Sequence, residues 1–197
     1  MKRRATYHHH DLANALVAAA ERLVGKHGVA GFSLREAARA VGVDPAACYR
    51  HFRDKDAILT ELARRGFTRM AADMERAIAT KRTPIAKLIA LGHVYVDFAV
   101  ARPSSFRAMF GPTGFEARDP RRRGVHARGP YEILEHTVND WLGARRVEAA
   151  ALLLWSGVHG VASLLVDGAI RMTARERRRR VDRLLRALVA AAGRPGA

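Results

Sequence analysis

Cysteine is all but absent from this chain of 197 residues. The single Cys48 excludes an internal disulfide and leaves no basis for a cysteine-ligated zinc site. Lysine is scarce as well: only five of the 35 basic side chains are lysine and the rest are arginine. The formal net charge of +16 suits a polyanionic partner, but arginine and alanine at this density are also what a GC-rich genome produces unselected. Nor is the excess concentrated at one end. Residues 1–55 carry 10 basic and 5 acidic side chains, and residues 56–197 carry 25 and 14. No uninterrupted apolar run approaches the ~20 residues that a bilayer-spanning helix needs, and the N-terminus is polar rather than signal-like. A cytoplasmic location without a membrane partner is therefore expected. The chain has no nucleophile elbow, no His-Glu-x-x-His and no glycine-rich phosphate loop. Neither enzymatic activity nor a cofactor is expected.

Strand-like alternation, hairpin turns and internal repeats are missing too, whereas helical periodicity is everywhere. Leu12, Leu16, Ala19, Ala20, Leu23 and Val24 line one face of a first helix over residues 11–26. Asp54 opens a long fourth helix reaching about Thr80. Ile85 to Ala101 is apolar on most sides and should be central. Phe106, Met109 and Phe110 mark a short sixth helix, and three more follow at residues 130–144, 147–170 and 173–192. The stretch at 111–129, rich in glycine and proline over its first ten or so positions and then carrying Arg121, Arg122 and Arg123, reads as a mobile surface loop. Lys2, Arg3 and Arg4 form a basic arm ahead of the first helix. The fold class is all-α with about nine helices, large enough at 49% apolar residues for one small domain and one larger core.

Residues 32–55 carry the strongest local signal. Ser33 and Glu36 form a capping box, Leu34, Ala37, Ala38 and Val41 keep the helical period, and Gly42 sits where a helix needs a left-handed stop. Asp44 supplies the next N-cap with Pro45 at the first helical position. The second helix is short and ends in Tyr49, Arg50, His51 and Phe52. Two short helices on a tight turn make a helix-turn-helix.

Ser33 to Ala38, Val41-Gly42-Val43 and the run from Cys48 to Leu59 resemble the TetR family of bacterial transcriptional regulators. The spacing of Tyr49, Phe52 and Lys55 is the most specific part. Tyr7 to Leu12 and Gly28 to Phe32 extend the likeness over roughly residues 7–60. Leu154 to Gly160, with Trp155 and His159, resembles a tryptophan–histidine–glycine signature in the effector domain of one subgroup. The resemblance implies a DNA-binding domain in residues 1–60 and an effector-binding and dimerisation domain in residues 61–197. It also implies a homodimeric repressor that binds a palindromic operator on double-stranded DNA and is released by a small hydrophobic effector. An activator, or a regulator that needs its ligand to bind DNA, fits the same fold. Rivals from other classes are an all-α enzyme using His159 and a basic adaptor or membrane-surface protein.

Tyr49, His51 and Lys55 have donors that reach phosphate oxygens when the second helix lies in the major groove, and the resemblance adds Ser33. Arg50 is the long side chain able to bond a guanine edge, while Pro45, Ala46 and Ala47 offer only close approach or a thymine methyl contact. Asp44 could accept from cytosine, but capping explains it equally well. Cys48 falls at an apolar core position. His8, His9 and His10 are adjacent on one segment, so they do not converge on one metal ion. Tyr95, Phe98, Phe106, Met109, Phe110, Trp155 and His159 are candidates for an apolar effector pocket; a satisfied core or dimer-contact histidine is the alternative for His159.

Overall fold

The computed structural model describes residues 9–111, 114 and 128–194. Among them lie nine α-helices and no strand: α1 (His9–Gly31, interrupted at Gly28), α2 (Leu34–Val41), α3 (Pro45–Tyr49), α4 (Lys55–Ile78), α5 (Pro84–Ala101), α6 (Pro103–Phe110), α7 (Pro130–Leu142), α8 (Val147–Val166) and α9 (Ala174–Ala192). The basic arm, Tyr7, His8 and most of the loop at 112–127 lie outside the described residues.

The chain divides into two compact units, one of Met1–Gly66 with Ser104–Arg122, the other of Phe67–Pro103 with Arg123–Ala197. In the first unit, α1, α2 and α3 close on a core of Leu16, Ala20, Val24, Leu34, Ala38 and Cys48, joined by Ile58, Leu59 and Leu62 from α4. Helix α6 belongs to this unit, although a boundary at residue 60 assigns it to the larger domain. The packing gives the reason. Ser105 Oγ donates to Glu21 Oε1 on α1 at 2.7 Å, and buried Met109 lies over Gly66 of α4 so closely that a Cβ there would come within 2.5 Å of its sulfur.

The second unit packs α5, α7, α8 and α9 on one another. Proline at the first position and the Thr83 hydroxyl, which accepts from Ala86 N–H, start α5. The Thr173–Glu176 capping box starts α9. Helix α9 approaches α5 where Gly92 stands: a Cβ at that position would lie 2.1 Å from Leu185 Cδ2. Helix α8 stops at Val166 rather than near residue 170, because Gly168 turns the chain with φ 72. By length and composition alone, α5 and the stretch Ala144–Val166 are apolar enough to cross a membrane, despite the polar interruptions Lys87, His93 and Asp97 in α5. In the fold, 39% and 28% of those windows are buried, and both helices pack within the second unit.

Candidate functional site

The helix-turn-helix is built by local chemistry. Ser33 Oγ accepts from Glu36 N–H at 3.3 Å and donates to Glu36 Oε2 at 2.8 Å, while Ser33 N–H donates to the same carboxylate at 3.1 Å. The Ser33 hydroxyl bond holds the Glu36 carboxyl below its ordinary range. Gly42 ends α2 at φ 74, a conformation that a side chain would strain, and Val43 N–H closes on the Ala38 carbonyl. Asp44 Oδ1 then accepts from Ala46 N–H at 2.7 Å and launches α3. Capping thus takes one oxygen of the Asp44 carboxylate.

Helix α3 buries one side chain, Cys48, whose thiol burial pushes above its ordinary pKa. Its other face is open: Tyr49 is 51% exposed, and Ala46 and Arg50 are exposed beside it. His51 is half-buried and lines a surface cleft with Phe52, Thr60 and Arg64. Lys55 Nζ donates to the Ala30 carbonyl at 2.8 Å, which ties the start of α4 to the end of α1. An ammonium has three donors, so this bond leaves two.

The second unit holds an apolar cavity of about 30 Å³, lined by Met74, Leu88, Leu91, Gly92, Tyr95, Pro130, Leu134, Leu154, Trp155, Val158, Leu185 and Val189. Of these only Tyr95 and Trp155 carry a polar side-chain atom. The Trp155 ring meets Tyr95 edge-on at 5.0 Å and Tyr131 at 5.2 Å. Burial pushes the Tyr131 phenol up. His159 stands behind this wall, its Nδ1 2.7 Å from the Tyr95 hydroxyl and its Nε2 3.4 Å from Ser163 Oγ. That arrangement suits the Nε2–H tautomer, with Tyr95 donating to Nδ1.

Of the seven residues singled out for a pocket, the cavity thus brings together Tyr95 and Trp155, with His159 bonded to the first. Phe98 is buried on α5 but does not line the cavity. Phe106, Met109 and Phe110 lie on α6 in the other unit, the two phenylalanine rings 4.9 Å apart. The aliphatic wall from α5, α8 and α9 has no sequence signature: leucine and valine at helical spacing look the same in a core and in a cavity.

Outside the cavity, α8 carries an exposed apolar face. Leu152, Leu153 and Leu164 are 57%, 38% and 48% exposed, with Ser156 and Gly160 open between them. Half-buried Leu184 and Leu188 and exposed Ala187 continue that face on α9. Among the described residues, no three His, Cys, Asp or Glu side chains come together as a metal site.

Residues 16–62 match the model for bacterial regulatory proteins of the tetR family, and residues 88–188 match the tetracyclin repressor-like C-terminal domain. The HTH-type transcriptional regulator YobS of Bacillus subtilis (strain 168) is 34% identical over 93 residues, 47% of this chain and 48% of that protein. This chain therefore matches about half of YobS. The HTH-type transcriptional regulator Rv1816 of Mycobacterium tuberculosis is 27% identical over 177 residues, covering 72% of this chain and 75% of its own length. A solved protein of unknown function from Rhodococcus sp. RHA1 superimposes with a TM-score of 0.71 at 29% identity, over 96% of this chain and 97% of that one.

Proposed function

Because the chain belongs to the TetR family of bacterial regulatory proteins, and so is a helix-turn-helix transcriptional regulator, we propose that it is a homodimeric repressor released from a palindromic operator by a small hydrophobic effector. The observation that carries the DNA-binding part is the open face of α3, with Tyr49 and Arg50 outward on a helix pair capped at both starts. In this reading Arg50 bonds a guanine edge, Tyr49, His51 and Lys55 hold phosphates, and Pro45, Ala46 and Ala47 let the helix approach closely. Ser33 and Asp44 set the angle of the head through their caps. The exposed leucines of α8 and the small apolar face of α9 pair with their mates across a two-fold axis.

A cavity of about 30 Å³ has room for little more than a water molecule. Ligand sites run to roughly 300–1,000 Å³, so an effector must push the surrounding helices apart. One wall residue, Met74, lies on α4, which begins at Lys55. Displacement of α4 then couples effector to DNA, and the two affinities change reciprocally. Titration with hydrophobic ligands, in a Trp141→Phe background so that Trp155 alone reports, should reveal compounds that shift its emission and release DNA. His159→Ala, which removes the acceptor of the Tyr95 hydroxyl, should weaken that release and leave ligand-free DNA binding unchanged. A ligand that shifts Trp155 while strengthening DNA binding would make the chain a co-repressor instead.

A further inference from the structure

Helix α9 opens with an arginine run that capping and packing do not explain. Arg178, Arg179 and Arg183 converge with His93 of α5 and Asp182 on one open groove of about 570 Å³. Asp182, the one carboxylate in the groove wall, is already committed: it accepts from Arg186 at 2.7 Å and lies 3.4 Å from His93 Nε2. Among the described residues no carboxylate lies within ion-pair reach of Arg178, Arg179 or Arg183. Like charges gathered on one face raise the local positive potential, and Glu176, which interacts with Arg179 and Arg180, offsets part of it, so the groove favours an anion. Guanidinium forks match phosphate oxygens in pairs.

The groove and the apolar cavity share one seam. His93 follows Gly92, which lines the cavity, and Asp182 precedes cavity-lining Leu185 by one turn on α9. Leu185 sits directly over Gly92, and both line the cavity. On the opposite flank, Leu188 meets Gly157 of α8, so the groove faces away from the apolar α8–α9 surface.

We infer that the arginine groove is the head-group half of the effector site, and that the effector is an anionic amphiphile with a phosphate-bearing head in the groove and an apolar chain in the cavity. This rests on the effector reading above. Swinging Leu185 off Gly92 admits the chain, and the bound head cross-links α5 to α9. Calorimetric titration with decyl phosphate below its micelle-forming concentration and 1-decanol below its solubility limit separates the two parts. The phosphate should bind at least about tenfold tighter than the alcohol, the gain from one or two charge-assisted bonds, and added salt should shrink that gap. Arg178→Gln/Arg183→Gln should abolish the preference and keep the affinity for decanol. Arg178→Lys/Arg183→Lys, which keeps the charge and loses the fork, should retain part of it. Equal binding of both probes to the unaltered chain overturns the groove proposal and leaves the cavity reading intact, as does a preference that survives the glutamine substitutions. If neither probe binds, the cavity reading fails and takes the groove with it.

Discussion

Leu152→Glu/Leu164→Glu should convert the proposed dimer to a monomer and abolish high-affinity DNA binding. Both leucines stand on the outer face of α8, 57% and 48% exposed, so the protomer has little folding energy to lose there. In a two-fold interface each substitution appears twice, placing four carboxylates in a seam built mainly of leucine and alanine. An unpaired buried charge costs several kcal/mol, enough to exceed the stability of an ordinary dimer at micromolar concentration. Loss of the second head removes the linkage between half-sites, which multiplies affinity by roughly 10²–10⁴. Sedimentation should show one protomer with unchanged helicity, and gel shifts should show only weak, salt-sensitive binding. A variant that remains dimeric places the interface elsewhere.

Arg50→Ala should have the next largest effect. Its side chain is exposed at the C-cap of α3 with no packing role, so truncation leaves the fold intact. A bidentate contact to guanine is worth ~1–3 kcal/mol per half-site, or ~2–6 kcal/mol over a dimer, and its loss should relax preference at one base position. Lys55→Ala makes the contrast. A lost phosphate contact weakens binding on every sequence alike and lowers the salt slope by about 1 per half-site. The bond to the Ala30 carbonyl is exposed, so its loss should cost stability only ~0.5–1.5 kcal/mol. If Arg50→Ala weakens all sequences equally, Arg50 is a phosphate contact rather than a reader.

The contrast between the two halves shows what kind of information a sequence holds. The capping boxes at Ser33 and Thr173, the Gly42 stop and the Asp44–Pro45 start are written within three or four residues of where they act, and the structure forms each of them. The all-helical class and the helix-turn-helix are legible for the same reason. The cavity wall is not. Tyr95 and His159 are 64 residues apart, and nothing near either announces their hydrogen bond. The aromatic cluster of α6 resembles a pocket wall in composition. The structure instead seats that helix on α1 and α4 through Ser105 and Met109, small and flexible groups whose partners are Glu21 and Gly66. Nothing in the sequence near Arg178, Arg179 or Arg183 points to His93, 85 or more residues away, which only the packing of α5 on α9 brings beside them.

The central claim is that the open face of α3 reads a two-fold symmetric DNA sequence. Selection of binding sites from a random double-stranded pool with the full chain tests it most directly. Enrichment of an inverted repeat is predicted, with half-site centres about 34–36 Å apart or somewhat more, bound far more tightly than scrambled DNA and with steep salt dependence. Binding that enriches no sequence, or that is unchanged by removing Tyr49 and Arg50 side chains together, would contradict it.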